Sequence, residues 1–497
     1  MPRHGRREVA GVVLASLLSF GLMAFLAMRL PPFFGADERA HFSYTVTLLD
    51  GRLPEFTDRQ PFDDRYPIIQ RSLDPPGPEA PRQQAIFVAL HPPLTYAVTA
   101  PLVWLAGMTP YDALPTLAFR LVNAASMGVG VALAGLFAAE LFPGRRGVAV
   151  AAAVLTAVVP NIVAVGAYAH NDGPAFALTT ACLLVSARLL RRGLSAGRLV
   201  SGSLVAAAAM STRASAAVAV AAVVASAAVA AWRSGRGLRP AAMRAAGAAL
   251  AVGTTVVAVS GWFYWRNQRI YGTPTGDEFA FEALGRHPVA TLPEAMTTRA
   301  YHGRLWTGLY GSVHLRLPTW HPGWLLAGLA AVLAAGLLVA VARRARRGND
   351  LGGAAARGGG IGLPGWVILA GFCAAVVVSA ARHYADGGGP HPRYLFALVP
   401  VVSALLARAL AEFPWPRLAL GVVAGVQLAL MLWQIGQFSD LVGNPAHPRP
   451  FDVATAPVLG QAAALALAAV AGAGVLALVA NDWWRRRRGP DPVQASG

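Results

Sequence analysis

The sequence predicts an all-α, polytopic integral membrane protein with about 12 transmembrane helices and a large first outer loop bearing interfacial helices. Three observations carry this. Of 497 residues, 55% are hydrophobic and only 13% charged, against about 25% charge in an ordinary soluble domain. The apolar residues come in blocks about 20 long, enough to cross a bilayer core of about 30 Å. The basic residues are all Arg, grouped in short clusters between the blocks, as helix orientation by positive charge requires.

The net charge of +18 would suit a nucleic-acid partner, but the placement of the Arg clusters between apolar blocks accounts for it. Cys182 and Cys373 both lie within apolar blocks, so neither a disulfide nor a metal site is read from them. Phosphate-binding P-loop and zinc spacings are absent from the sequence. Energy for any reaction must then come from the substrate or from a gradient.

Arg3, Arg6 and Arg7 precede the first block, 9–30, and place its start in the cytoplasm. The block is long for a signal-peptide core and has no small-residue cleavage site, so it is read as a retained span. The first outer loop runs over 31–116. It contains an apolar but short segment, 91–107, that opens with Pro92-Pro93. Counting that segment as a span would put Arg145 and Arg146 outside and Asn171-Asp172 inside. An interfacial, non-spanning segment removes the conflict. Spans then follow at 117–141, 147–167 and 173–190, with a hairpin over 199–232 broken near Ser211-Thr212-Arg213. Span 241–262 leads to a second large outer loop, 263–322. Span 323–342 is followed by two pairs of spans flanking 382–393 and 437–456. The reading is one domain over 1–490 with a disordered tail, 491–497, a Gly-rich linker at 352–360, and both termini cytoplasmic in the cell membrane.

Most acidic residues and histidines lie outside the spans. Asp37, Glu38 and His41 follow the first span closely, and Asp58, Asp63, Asp64, Asp74, Glu79 and His91 come later in the same loop. Paired carboxylates beside a membrane can act as a general base or hold a divalent cation; a solvated loop would carry the same residues. A helix over 36–49 would set Asp37, His41 and Tyr44 on one face, and its apolar residues would lay it on the membrane. His170-Asn171-Asp172-Gly173 reads as a turn, yet a short turn leaves Asp172 at membrane depth, where an ionised carboxylate is costly and usually functional. Arg213 sits between apolar runs and needs an acid, a lipid phosphate or a path to water. Arg120 lies near the outer edge of its span and can snorkel. Arg266 closes span 241–262 among tryptophans, as an interfacial anchor would. Arg393 and Tyr394 open the span after 382–393. There a planar guanidinium can grip a phosphate head group or merely anchor the helix.

These pieces, in their order, resemble the GT-C-type membrane glycosyltransferases, and more narrowly a bacterial predicted-membrane-protein family of unknown function grouped with them. The matching residues are Asp37-Glu38-Arg39-Ala40-His41-Phe42, Leu90-His91-Pro92-Pro93-Leu94-Thr95-Tyr96, Asn171-Asp172, Ser211-Thr212-Arg213, Trp265-Arg266-Asn267 with Tyr271-Gly272, and Pro392-Arg393-Tyr394-Leu395-Phe396. The resemblance implies a sugar donor on polyprenyl phosphate, used on the outer face, and an acceptor that is a glycan, lipid or protein of the cell envelope. It implies Asp37 as catalytic base or metal ligand, Glu38 assisting, and Asp172 as the second acid. Arg393, Tyr394, Arg213 and Arg266 become substrate-binding candidates, with His41 and His91 orienting the acceptor or a metal. Arg213 stands where many relatives carry Lys. No cofactor is required; a divalent cation, if used, would fall on Asp37, Glu38 and Asp172. The partners are the bilayer and the lipid-linked sugar, not nucleic acid. A transporter or flippase of lipid-linked sugars is the rival reading, and it calls for inverted repeats and a buried charge chain. A non-catalytic subunit of an envelope-synthesis complex is another, and it would tolerate loss of Asp37 and Asp172.

Overall fold

The computed structural model describes residues 3–60, 85–145, 147–311, 323–346, 360–443 and 458–487. Among them helices dominate. They are α1 (Arg3–Arg29), α2 (Glu38–Leu49), α3 (Leu94–Gly107), α4 (Leu114–Leu141), α5 (Val148–Ala157), α6 (Pro160–Gly166), α7 (Asp172–Arg192), α8 (Ala196–Met210) and α9 (Ala217–Trp232). There follow α10 (Leu238–Tyr271), the short α11 (Asp277–Ala283) and α12 (Leu292–Thr297), an irregular helical run over 299–311, α13 (Gly323–Arg346), α14 (Gly362–Ala385), α15 (Val399–Leu410), α16 (Pro416–Gly443) and α17 (Val458–Arg487). A 3-10 turn, Pro392–Leu398, leads into α15. Asp63, Asp64, Asp74 and Glu79, most of the Gly-rich linker and the 491–497 tail lie outside the described residues.

The architecture is that of a multi-pass membrane protein. Among the described residues, nine helices are long and apolar enough to cross a bilayer, or ten if α5 and α6 together make one span. Ala196–Met210 and Gly323–Gly336 are apolar but shorter, so length and composition support nine or ten of the twelve expected crossings. The span expected over 147–167 is not one straight helix. It bends by 62° between α5 and α6, where Pro160 sits in the first turn of α6 and offers no amide to continue the α5 ladder.

Contacts sort the helix ends into two sets. At one end Glu8 accepts from the Gly147 amide at 2.9 Å, Arg145 meets Glu412 at 3.7 Å, and Glu140 takes Arg188, Arg191 and Arg192. Most of the Arg clusters lie here. Small residues let α17 run antiparallel along α1: a Cβ at Gly21 would meet Ala464 and Ala468, and one at Gly474 would meet Leu14. The far end of α17 therefore returns to the Arg-rich end. At the opposite end lie the turn between α1 and α2, the start of α3, the turn before α7, the α8–α9 break and the 383–394 loop. There the Leu94 amide bonds the Ser211 carbonyl at 3.1 Å, and Asn267 donates to the Leu90 carbonyl at 3.2 Å.

Segment 91–107 follows from this sorting. Its helix α3 has 14 residues, about 21 Å long at 1.5 Å per residue and short of a span. It starts beside Ser211 and leads to α4, whose early residue Arg120 bonds the last turn of α1. Both of its ends are thus at the end opposite the Arg clusters.

Helix α2 departs from expectation. It begins at Glu38, not at residue 36, and Asp37 is its N-cap with φ 64°. Asp37 therefore does not share a helical face with His41 and Tyr44. Nor does α2 lie on the membrane: Glu38 and residues Ala40 to Thr47 are buried in protein, with Phe42 and Tyr44 at 0% exposure in a core shared with Tyr96 and Phe119.

Candidate active site

The α1–α2 turn carries two left-handed residues, Phe33 and Asp37. Such backbone costs of order 1–3 kcal/mol and persists only where the surroundings over-determine it. Here they do. Glu38, fully buried, accepts from the Gly35 amide at 2.8 Å and the Ala169 amide at 2.6 Å. Arg120 grips the same carboxylate through Nε at 2.8 Å and a terminal nitrogen at 2.7 Å. The rest of its guanidinium donates to the carbonyls of Ala27, Leu30 and Pro31 at 2.9, 2.8 and 2.7 Å. Arg120 does not snorkel; it is 2% exposed and spends every donor on the turn. Asn123, one helical turn on, donates to the Val165 and Tyr168 carbonyls and accepts from Gly173 at 2.7 Å. The turn bearing Asp37 and the turn bearing His170 and Asp172 are thereby locked together from α4.

What they present is a charge cluster. Arg393 reaches Asp37 Oδ2 with one terminal nitrogen at 2.8 Å and His170 Nε2 with the other at 2.9 Å. It also stands 4.0 Å from Asp172. Arg213 bonds Asp172 directly, and His170 Nδ1 lies 3.1 Å from Asp172 Oδ2. Two carboxylates and two guanidiniums balance around one imidazole. Asp37 keeps 28% of its side chain open, Arg213 and Arg393 14% each, and His170 and Asp172 2% and 4%. Arg393 Nε, both polar atoms of the Asn171 side chain, His170 Nδ1 and Asp172 Oδ2 are buried without a hydrogen-bond partner, a cost of about 1–3 kcal/mol each that a polar ligand would relieve.

Burial works to raise the Asp37 pKa, but Arg393 and His170 outweigh it and hold the carboxyl well below its ordinary value. Behind the cluster lies a stack of rings. His41 sits 3.9 Å from His170 between centroids and bonds the Tyr96 hydroxyl through Nδ1 at 2.8 Å. His91 stacks 6.2 Å beyond. Burial pushes the His41 pKa down, and burial with Arg213 nearby takes His91 down to about 3, so both rings are neutral.

Of the residues named from sequence, Asp37, Asp172, Arg213 and Arg393 are brought together, with His41 and His91 behind them. Three stand elsewhere. Glu38 is not an assisting acid in the cluster, because both its oxygens are filled by Arg120 and two amides. Arg266 anchors a loop by donating to the Pro54 carbonyl at 2.7 Å. Tyr394 flanks Arg393, but its hydroxyl pairs with His383 at 3.0 Å. The cation set Asp37, Glu38 and Asp172 is therefore not gathered, and among the described residues no three His, Cys, Asp or Glu groups are placed to hold a metal ion. From sequence, Arg120 reads as a snorkelling side chain and His170 only as part of a turn; neither is a site candidate there. The signal for Arg120 was its place inside an apolar block; for His170 it was only adjacency to Asp172.

Between α2 and α3 an apolar groove of about 440 Å³ opens, lined by Leu48, Leu49, Ala97, Ala100, Pro101 and Trp104. The stacked Tyr44 and Tyr96 rings, 3.8 Å between centroids, are carried by the same two helices.

No family model and no curated protein matches the chain. It is similar to solved membrane proteins. ArnT from Cupriavidus metallidurans bound to undecaprenyl phosphate has 15% identity and a TM-score of 0.47, the match covering 96% of this chain and 72% of that one. ArnT in the apo state has 15% identity and a TM-score of 0.48, covering 95% and 71%. The archaeal oligosaccharyltransferase AglB from Archaeoglobus fulgidus, in complex with an inhibitory peptide and a dolichol-phosphate, has 12% identity and a TM-score of 0.43, covering 92% of this chain and 56% of that one. These are likenesses in the course of the chain; the chemistry is read from the side chains above.

Proposed function

We propose that the chain is a membrane glycosyltransferase that moves a sugar from a polyprenyl-phosphate donor to a cell-envelope acceptor on the outer face. The observation that carries this reading is the convergence of Asp37, Asp172, Arg213 and Arg393 at the end opposite the Arg clusters. The positive-inside rule makes the Arg-rich end cytoplasmic, with both termini there, so the cluster faces outward.

The chemistry suits the geometry. Transfer from a lipid phosphate needs no nucleotide, because the phosphate leaves with the bonding pair. The acceptor hydroxyl needs a base within about 3 Å, and Asp37 is the more open of the two acids. The developing phosphate charge needs fixed cations; Arg393, with its unpaired Nε, and Arg213 supply them. A phosphate that draws Arg393 toward itself also frees Asp37 Oδ2 to take the acceptor proton. The lipid tail can rest along the α2–α3 groove while the head reaches the cluster.

The test is transfer of labelled sugar from a polyprenyl-phosphate donor by purified protein in lipid nanodiscs. Asp37→Asn is expected to lower kcat at least about 100-fold with unchanged yield and fold. Transfer at the wild-type rate by that variant would overturn the assignment, and donor flipping without transfer would favour a transporter.

A further inference from the structure

We propose that His170, backed by Asp172, takes the proton from Asp37 and so resets Asp37 as a base; this rests on the glycosyl-transfer reading above. His170 acts through Asp37 and is a positioning and proton-accepting residue rather than one that meets the acceptor.

Arg393 sets the tautomer of His170. A guanidinium only donates hydrogen bonds, and an Arg393 terminal nitrogen stands 2.9 Å from His170 Nε2. Nε2 must therefore present its lone pair, and the ring hydrogen lies on Nδ1, in ion-pair range of Asp172 Oδ2 at 3.1 Å but not aligned on it as a hydrogen bond. A carboxylate this close to the hydrogen-bearing nitrogen stabilises an imidazolium when it forms.

His170 also stands next in line to Asp37. Nε2 lies 3.8 Å from Asp37 Oδ2, and the same guanidinium occupies both atoms. When Arg393 turns to a phosphate, both lone pairs are released together and face one another. Asp37 is open to an acceptor, whereas His170 and Asp172 are closed off at 2% and 4% exposure. The proton thus has an entry at Asp37 and a sheltered place behind it.

Third, among the described residues no other ring is placed between the two carboxylates as His170 is. Around it stand Asp37 from the α1–α2 turn, His41 from α2, His91 before α3, Asp172 from α7, Arg213 from the α8–α9 break and Arg393 before α15. His41 Nδ1 is engaged with the Tyr96 hydroxyl, and His91 has neither carboxylate beside it in the way His170 has both.

The step balances. The acceptor O–H bond breaks as its oxygen bonds the anomeric carbon, and the anomeric carbon–phosphate oxygen bond breaks with its electron pair going to the phosphate. The proton passes to Asp37 Oδ2, then to His170 Nε2, and last to the phosphate oxygen held by Arg393. Acceptor and donor become glycoside and polyprenyl monophosphate with no further reactant.

Two measurements on the full chain test this. In nanodiscs with a polyprenyl-phosphate sugar, His170→Asn should lower kcat about 100-fold with KM within about twofold. It should alter the pH–rate profile, and added imidazole should restore part of the rate. A wild-type kcat and pH profile in His170→Asn would overturn the proposal while leaving transfer itself intact. Independently of any donor, nitrogen-15 NMR of histidine-labelled protein, with the His170 signals identified by their loss in His170→Asn, should show a bare Nε2 and a hydrogen on Nδ1. The opposite tautomer overturns the proposal even if no donor is used. Absence of transfer by the wild type strikes the functional reading instead, and the tautomer still decides how His170 is arranged.

Discussion

Glu38 Oε1 accepts a hydrogen bond from the Ala169 amide at 2.6 Å, tying the residue after Asp37 to the residue before His170. With Arg120 on its other side, Glu38 sets the distance between the two acid-bearing turns. Removing one partner of a buried ion pair costs about 3–5 kcal/mol, whereas an apolar pair of similar volume is often neutral. Glu38→Met and Arg120→Met alone should each lower the Tm in detergent sharply. The double variant should regain much of that stability, yet its turns are no longer tied, so transfer stays lost. Strictly additive Tm losses, or transfer recovered along with stability, would contradict the clamp.

Gly173 offers a test that touches no charged group. A Cβ there would lie 2.3 Å from the Asn123 carbonyl oxygen and 2.5 Å from Asn123 Oδ1. The backbone of α4 cannot yield as a side-chain tip can, so α7 would move away and carry Asp172 with it. Gly173→Ala is expected to cost about 1–3 kcal/mol from overpacking and to lower transfer at least about tenfold. Gly253→Ala, where a Cβ meets nothing within 4 Å, is the control and should leave both unchanged. Equal behaviour of the two variants would remove the close α4–α7 approach from the argument.

The helical course was legible because apolar blocks and Arg clusters each obey a rule that acts on the sequence directly. The break at Ser211–Arg213 followed from run length alone. Which acids meet was less legible. Asp37, Asp172 and Arg393 lie far apart in the sequence, and only packing of α1, α7 and α15 brings them together. Glu38 and Asp37 looked alike as neighbouring carboxylates; the left-handed turn at Asp37 sends one to the cluster and the other to Arg120. Arg266 and Arg393 likewise both close on the same end, and nothing in local pattern told a loop anchor from a member of the site.

Arg393 joins Asp37 and His170 with two separate nitrogens, which a lysine cannot reproduce with a single one. Arg393→Lys should keep the net charge of the site but weaken binding of the proposed polyprenyl phosphate. Loss of one charge-assisted hydrogen bond, about 1.5–3 kcal/mol, corresponds to a Kd raised roughly 10- to 100-fold. Binding in nanodiscs, followed by native mass spectrometry over a lipid titration, checks this. An unchanged Kd would assign the phosphate to Arg213 alone.

The held-down pKa of Asp37 also has a consequence for stability. Its carboxyl titrates in the folded chain below the ordinary value of 3.8. A depressed carboxylate contributes stability that is fully present above the unfolded value and is lost as pH falls through the folded one. The wild type should therefore be more stable than Asp37→Asn near pH 6, and the gap in Tm should narrow once the pH drops below about 4. Arg393 is the main opposing charge, so the same narrowing should be weaker in an Arg393→Gln background, where the carboxylate has lost that partner. Thermal unfolding of the wild type, the two single variants and the double variant between pH 6 and pH 3 in one detergent reads this directly. A gap that stays constant across that range would mean that Asp37 and Arg393 do not form the ion pair in the folded chain, and the balanced cluster around His170 would lose one of its four charges.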